Sequence, residues 1–304
     1  MDEFAQHTVS GVMTGSLYAL MALALVIIFR ATHVINFAQG EMGTFTAFMA
    51  WSMMLRLPYV VGFGFAVLIG FVVGALTERL LIRPLSRRVE LSAIIMTVGL
   101  FLLFNSVTLS IYGGDPHTFK DPFSGPPLDI LGVTVGRYNL YVFVFTLILA
   151  TGLFALFQFT KLGLAMRATA ADRTTAELMG VPTGLMLMLG WGLAGAMGGV
   201  AAMLIAPIVV LTPNMMFFVL VFGITAAVLG GLNSFGGALV GGFFVGVVQN
   251  WVGVYLNDIF DIIQLPLNVE APNQYRDVVG VALIILVLLI RPHGLFGKEE
   301  AQRV

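Results

Sequence analysis

One stretch of this chain, residues 178–257, runs for 80 residues without a single Asp, Glu, Lys or Arg. Charged residues make up about 25% of a soluble domain, so a stretch of this kind does not fit a soluble fold. Over all 304 residues the charged fraction is 10%, the hydrophobic fraction is 59% and the mean hydropathy is +0.97. The sequence therefore predicts an integral membrane protein surrounded mostly by lipid.

The number of spans follows from the gaps between charged residues, because a spanning helix needs about 20 apolar residues. Four charge-free gaps have this length, at residues 8–29, 57–77, 91–114 and 138–160. The 178–257 stretch holds three more spans, divided near 207–213 and 230–237. Residues 37–55, which contain Glu41, and residues 278–290 are weaker candidates. We predict an all-α polytopic membrane protein with about nine transmembrane segments, or eight to ten if a segment is re-entrant.

The distribution of basic residues predicts the orientation of these spans, because cytoplasmic loops are enriched in Lys and Arg. With nine spans, eleven basic residues fall on one side: Arg30, Arg79, Arg83, Arg87, Arg88, Lys161, Arg167, Arg173, Arg291, Lys298 and Arg303. The other side receives four: Arg56, Lys120, Arg137 and Arg276. The N-terminus is therefore expected outside the cytoplasm and the C-terminus inside it.

The loops leave no room for a separate soluble domain, so residues 1–304 are expected to form a single transmembrane domain. Residues 113–137, rich in Gly, Pro and Asp, are expected as an extracytoplasmic surface loop. Residues 257–276 form the second such loop and could lie on the outer interface as a short helix. The first apolar stretch lacks a basic n-region and a small-residue cleavage site, so we expect it to be retained as a span.

Several kinds of chemistry are absent from the sequence. There is no Cys, and the His residues at 7, 33, 117 and 293 are too scattered for a metal site. No Walker A loop, zinc-protease helix or nucleophile elbow occurs. A net charge of −1 argues against nucleic-acid binding. We expect no enzymatic activity and no cofactor, with energy coming from another chain or from an ion gradient.

Glu41 is the only acid inside a predicted span. A carboxylate in lipid costs at least about 2.5 kcal/mol, so it should face a cavity or a partner. Asn36 and Gln39 accompany it, and Gly40 permits a locally unwound backbone there. The alternative is that Glu41 caps a helix beginning after Asn36, which would place it near the cytoplasmic face.

Other polar residues within the spans are candidates for the solute path or for interhelical hydrogen bonds. They are Asn105, Gln158, Gln249 and Asn250. We also include Asn233, although residues 231–234 fit a tight turn between two helices equally well. The predicted path residues are therefore Asn36, Gln39, Glu41, Asn105, Asn233, Gln249 and Asn250.

The cytoplasmic loop 161–182 contains strong helix formers at 165–179, followed by the stop signals Gly180 and Pro182. An amphipathic helix here could rest on lipid headgroups or dock into a partner's groove, and the sequence favours neither. The candidate docking residues are Arg167, Ala168, Ala171, Asp172, Arg173, Glu177 and Gly180.

Several motifs resemble those of LivH-type permeases, the integral membrane subunits of branched-chain amino acid ABC importers. They are GSLYAL at 15–20, VINFAQGE at 34–41, ELMGV at 177–181, VLGGLNSFGGA at 228–238 and RPHGLFG at 291–297. One departure is Gln39, where the family usually has His. The resemblance covers nearly the whole chain.

The resemblance implies a bacterial inner-membrane complex with a related LivM-type permease, two ABC ATPase subunits and a periplasmic substrate-binding protein. It implies that loop 161–182 is the coupling helix in the ATPase groove, and that the substrate is a small amino acid or, as in the wider family, urea or an amide. The alternative function is an ion-coupled secondary transporter or channel, which Glu41 beside Gly40 and Gly43 favours.

Overall fold

A computed structural model describes residues 2–85, 90–119, 121–123, 125–130 and 132–262, together with the single positions 278, 282, 285, 286 and 289. Its helices are α1 Asp2–Thr32, α2 Gln39–Met54, α3 Tyr59–Thr77, α4 Arg83–Leu85, α5 Glu90–Tyr112, α6 Arg137–Phe159, α7 Lys161–Ala171, α8 Arg173–Leu178, α9 Thr183–Val209, α10 Phe217–Gly230 and α11 Phe235–Ile262. A π-helical turn, Glu78–Ile82, joins α3 to α4. The short strands β1 Leu128–Ile130 and β2 Val133–Val135 complete the described elements.

Six of the described helices are long and apolar enough to cross a membrane, which confirms a polytopic membrane protein. They are Glu3–Thr32, Tyr59–Ile82, Ser92–Tyr112, Arg137–Phe159, Thr183–Val209 and Phe235–Leu256. The segment Phe217–Gly230 is apolar but shorter. The expected span at 278–290 lies outside the described residues, apart from isolated positions.

Two segments expected as full spans are only short helices. At 1.5 Å per residue, α2 with 16 residues is about 24 Å long and α10 with 14 residues is about 21 Å long. Both fall short of the roughly 30 Å of a hydrocarbon core. Each is preceded by chain without regular helix, residues 33–38 before α2 and 210–216 before α10. Counting charge-free residues cannot separate a helix from an apolar segment that is partly extended.

Two predicted loops are more ordered than expected. Residues 113–137 contain an antiparallel hairpin in which Leu128 pairs with Val135 and Gly132 takes φ +81° at the turn. Gln6 holds the free edge of this hairpin, donating to the Thr134 carbonyl at 2.8 Å and accepting from its N–H at 2.9 Å. The loop expected from 257 instead begins as the last turns of α11, which runs to Ile262. The rest of that loop is outside the described residues.

The described chain forms two compact units. Unit 1 comprises Met1–Ala22, Phe123–Leu147 and Val221–Val304, and unit 2 comprises Leu23–Pro122 and Ile148–Leu220. In unit 1, α1 and α11 pack at glycines, with a Cβ at Gly15 reaching the backbone of Gly242 and Phe243. Within unit 1 the buried Gln249 accepts a hydrogen bond from the Tyr18 hydroxyl at 2.5 Å.

In unit 2, helices α3 and α9 are in close backbone contact because glycines face each other. A Cβ at Gly70 would meet the backbone of Gly195, and a Cβ at Gly74 would meet the carbonyl of Trp191. Small residues of this kind let helices pack closely in lipid, where no hydrophobic force between helices is available. These glycines therefore serve close packing between α3 and α9.

We expect Gly74→Ala to lower the thermal unfolding midpoint of the purified protein, because the added methyl group meets backbone that cannot rotate away. Overpacking of this kind costs roughly 1–3 kcal/mol. Gly64→Ala on the same helix is the matched control, since a Cβ there has no atom within 4 Å. Alanine should leave that site neutral or stabilise it through its higher helix propensity. Equal midpoints for the two variants would contradict the close α3–α9 packing.

Candidate functional site

Helix α2 begins level with the middle of its neighbour α9. Gln39, its first residue, donates from Nε2 to the carbonyl of Ala194 at 2.7 Å, and Ala194 lies well inside the 27-residue α9. One turn later a Cβ at Gly43 would lie 2.7 Å from the carbonyl oxygen of Gly198. The helix that carries Glu41 therefore starts beside the middle of α9, rather than beside either of its ends.

Asn36 and Gln39 hold the start of α2 in place. Asn36 accepts the Ala38 N–H on its Oδ1 at 3.0 Å and donates from Nδ2 to the Gln39 Oε1 at 3.1 Å. Both residues are fully buried, and the Gln39 amide is hydrogen-bonded at both ends. Asn36 therefore stabilises the turn before the helix, because its short side chain can accept from the backbone two residues on.

Glu41 has a different environment. It is fully buried, its Oε2 accepts from Asn105 Nδ2 at 3.2 Å, and its Oε1 has no hydrogen-bond partner in the described part of the chain. It makes no capping hydrogen bond to the backbone. A buried polar atom without a partner is rare in native proteins and calls for an explanation in each case.

The Asn105 amide joins Glu41 to the segment that precedes α10. Its Nδ2 lies 2.7 Å from Asn214 Oδ1 and 3.5 Å from the Pro213 carbonyl oxygen. Asn214 is exposed, Asn105 is half-buried and Glu41 is fully buried, so the three side chains form a polar line from the surface of unit 2 to its interior. Sequence reasoning did not find Asn214, because it lies 109 residues from Asn105 along the chain.

The N-termini of α2 and α10 meet beside this polar line. A Cβ at Gly40 would come within 3.2 Å of both Leu220 Cβ and the Met216 carbonyl oxygen. Helix N-termini carry a partial positive charge and backbone N–H groups without intrahelical partners. A short helix with a non-helical approach is the arrangement that transporters use at substrate sites.

The structure brings four of the seven predicted path residues together in unit 2: Asn36, Gln39, Glu41 and Asn105. The other three belong to unit 1. Gln249 is buried against Tyr18, and Asn250 is half-buried. Asn233 is exposed in the turn between α10 and α11, where Gly231 has φ +91°. The tight-turn alternative is therefore the one seen. No cluster of metal-binding side chains occurs in the part of the chain that the structure describes.

The loop at 161–182 is not the single helix expected at 165–179. It consists of α7 and α8, which meet at Asp172, an extended residue with φ −157° and ψ 108°. The Asp172 carboxylate caps α8 by accepting the Thr174 and Thr175 N–H groups at 2.9 and 3.1 Å. Hydrogen bonds from the Thr175 hydroxyl and N–H hold the pKa of Asp172 below its usual value, which favours the charged form of the cap. An Asp is more favourable as an N-cap than inside a helix, which explains the break.

Two sides of this α7–α8 element differ in exposure. Gly163, Met166 and Thr169 are buried within unit 2. Leu164, Ala171, Leu178 and Met179 are exposed, with Leu178 at 84% and Met179 at 80%. The element therefore keeps an apolar face that the described residues leave uncovered.

The remaining candidate docking residues make contacts within or beside the α7–α8 element. Arg173 pairs with Glu177 at 3.3 Å, and Glu177 also accepts from the Thr183 hydroxyl. Gly180 has φ +83° and ends α8, as predicted from its position before Pro182. Arg167 lies 3.5 Å from the Gln158 side chain, and Ala168 is half-buried.

Two of the basic residues assigned to one side of the membrane, Arg30 and Arg83, lie near helix ends in unit 2. Arg83 donates to the carbonyl of Gly184 near the start of α9, and Arg30 lies over the ring of Phe157 near the end of α6. Elsewhere in unit 2 the backbone of His117 pairs with that of Leu211.

Comparison with known proteins gives a family match over most of the chain. Residues 7–288 match the family described as branched-chain amino acid transport system, permease component. The permease protein LivH of Salmonella typhimurium is 29% identical over 316 aligned positions, covering 99% of this chain and 98% of that protein. BraD of Pseudomonas aeruginosa is 30% identical with the same coverage. LivH of Methanocaldococcus jannaschii is 27% identical, covering 95% and 91% of the two chains. No solved structure gives a significant match.

Proposed function

The chain belongs to the family of permease components of branched-chain amino acid transport systems, and we propose that it is the membrane subunit of an inner-membrane ABC importer for small amino acids of the branched-chain class. ATP hydrolysis on partner subunits drives the transport. The chain itself holds the path through which the solute moves.

The observation that carries this function, beyond the family, is the uncovered apolar face of the α7–α8 element. Leu178 and Met179 project from a segment whose geometry is fixed by the Asp172 cap and the Gly180 stop. A rigid, exposed, apolar element flanked by charges fits a groove on a partner protein. We assign that partner as the ATPase, and the interacting residues as Arg167, Ala168, Ala171, Asp172, Arg173, Glu177 and Gly180 together with Leu178 and Met179.

The full complex, in this proposal, contains this permease, a related LivM-type permease, two ATPase subunits and a periplasmic binding protein that delivers the solute. The path residues in unit 2 are Asn36, Gln39, Glu41 and Asn105, to which the structure adds Asn214. Asn36 and Gln39 position α2, while Glu41, Asn105 and Asn214 face the solute. In unit 1 we keep Gln249 and Asn250 as path residues. We also keep the exposed Asn233, as a turn residue at the entrance of the path.

We propose that the chain crosses the membrane nine times. Two of these crossings consist of a short helix, α2 or α10, together with the non-helical segment before it. The N-terminus is then extracytoplasmic and the C-terminus cytoplasmic. Because the chain has no cysteine, single cysteines at Asp2 and Gln302 can be labelled with a membrane-impermeant reagent. We expect labelling of position 2 alone in intact cells. Labelling of position 302 from outside would overturn the orientation.

Purification of the chain with its natural partners tests the function directly. We expect two ATPase chains and a second permease in the complex, with hydrolysis stimulated by the loaded binding protein. The competing function is an ion-coupled carrier. A solitary chain that takes up solute under an ion gradient, with no ATPase retained, would establish that alternative instead.

A further inference from the structure

The cluster formed by Glu41, Asn105, Asn214 and the Pro213 carbonyl contains more hydrogen-bond acceptors than donors. One amide nitrogen, Asn105 Nδ2, carries two hydrogens and lies within 3.5 Å of three acceptor oxygens. A fourth acceptor, Glu41 Oε1, is buried with no partner in the described chain. The buried end of the cluster, at Glu41 Oε1, therefore lacks a donor.

The two amide groups of α2 and the segment before it are already engaged. Asn36 Nδ2 donates to the Gln39 side chain, and Gln39 Nε2 donates to the Ala194 carbonyl. The ion pairs found in the described regions are Arg83–Glu78 and Arg173–Glu177, so Glu41 has no basic partner there. In the described part of unit 2, Asn105 donates a hydrogen bond to Glu41 Oε2, and the positive ends of α2 and α10 lie nearby, where a helix dipole contributes about 0.3–1 kcal/mol. That is less than the cost of at least about 2.5 kcal/mol for a carboxylate at membrane depth.

The missing component is a compact positive group with several N–H donors that can enter from the exposed side. An α-ammonium group carries one positive charge and three N–H donors, one each for Glu41 Oε1, Asn214 Oδ1 and the Pro213 carbonyl oxygen. Asn214 is exposed and Asn105 half-buried, so such a group meets neutral oxygens before it reaches the carboxylate.

We propose that Glu41, Asn105 and Asn214, with the Pro213 carbonyl, form a subsite that binds the α-ammonium group of the transported amino acid. This inference rests on the proposed function of the chain as an amino acid permease. When the ammonium group binds, it donates to Glu41 Oε1 and to the oxygens of Asn214 and Pro213. The Asn105 amide then no longer donates to those two oxygens. The α-carboxylate of the substrate is then left near the positive N-termini of α2 and α10.

The test compares two ligands that differ only in this group, L-leucine and its 2-hydroxy analogue. Binding of each to the purified permease–ATPase complex in nanodiscs, without the binding protein, is measured by calorimetry. We expect the wild type to prefer leucine by about tenfold or more, the size of one charge-assisted hydrogen bond. In Glu41→Gln the preference should fall to near unity, and in Glu41→Asp it should be partly restored.

Glu78→Gln is the matched control, because Glu78 is the other buried acid of the described chain and already pairs with Arg83. It should keep the wild-type preference for leucine even if it lowers stability. The preference is the ratio of the two dissociation constants measured on one protein sample. A loss of folded protein therefore does not change it.

The subsite and the proposed function can fail separately. If no ATPase chains accompany the wild-type permease, the function as an ABC subunit is wrong. If the ATPase chains are present but the wild type shows no leucine preference, or Glu41→Gln keeps the preference unchanged, the ammonium subsite is wrong. The second outcome would leave Glu41 as a site for a proton or as a structural residue.

Discussion

Uptake by the complex is expected to fall at least about tenfold when Ala171 is replaced by Trp, with the permease still folded in the membrane. Ala171 is exposed at the last position of α7, beside the extended residue Asp172, so a larger side chain is tolerated within the chain itself. Docking energy concentrates in a few central residues, so bulk at the centre of the contact weakens binding by about 2 kcal/mol or more. Retention of the ATPase on affinity-tagged permease and uptake in proteoliposomes measure the two effects.

The matched control is Leu68→Trp, which also places an indole on an exposed helix position but lies on α3, outside the α7–α8 element. It should leave ATPase retention and uptake unchanged. If Ala171→Trp behaves like this control, the α7–α8 element rests on lipid headgroups and coupling belongs to another segment.

The long helices could be predicted from the sequence because their signal is local. A charge-free apolar run of about 20 residues is what a spanning helix needs, and five such helices appear where the gaps and the first division of the 178–257 stretch put them. The point at which a helix begins is a weaker signal. Residues 33–38 and 210–216 contain no Asp, Glu, Lys or Arg, so the charge-free gaps do not reveal that the chain leaves regular helix there. Helices α2 and α10 are therefore shorter than the spans expected.

The path residues were predicted only where the unusual residue type was itself the signal. Glu41 is noticeable as an acid in an apolar segment, and Asn105 as an amide in another. Their hydrogen bond, and the contact of Asn105 with Asn214, join positions 64 and 109 residues apart. No periodicity in one sequence encodes such a pair, because it depends on how the helices pack.

The break at Asp172 could have been predicted, and the sequence analysis missed it. Asp followed by Arg-Thr-Thr fits an N-cap, and the Thr174 and Thr175 N–H groups do bind its carboxylate. The run of helix formers on both sides hid this signal. The two-strand hairpin was missed for a similar reason, because the Gly- and Pro-rich residues around it favour a loop.

Arg83→Met is expected to destabilise the protein, because it leaves a buried carboxylate without its partner. Glu78 has a side chain only 1% exposed and accepts from Arg83 at 2.7 and 3.1 Å in a bidentate pair. Arg83 also donates to the Gly184 carbonyl, which joins the end of the α3 segment to the start of α9. Breaking a fully buried pair costs about 3–5 kcal/mol. Since 33% of the Arg83 side chain is exposed, solvent screening places the expected cost at or below about 3 kcal/mol.

The double variant Glu78→Met, Arg83→Met separates charge burial from packing. Removing both charges eliminates the unpaired carboxylate, and methionines fill much of the volume, so the thermal unfolding midpoint should recover most of the loss seen in Arg83→Met. The remaining deficit measures the lost hydrogen bond to Gly184, which neither methionine can replace. A double variant no more stable than Arg83→Met would mean that the Gly184 contact, rather than the pairing with Glu78, is what Arg83 contributes at this end of unit 2.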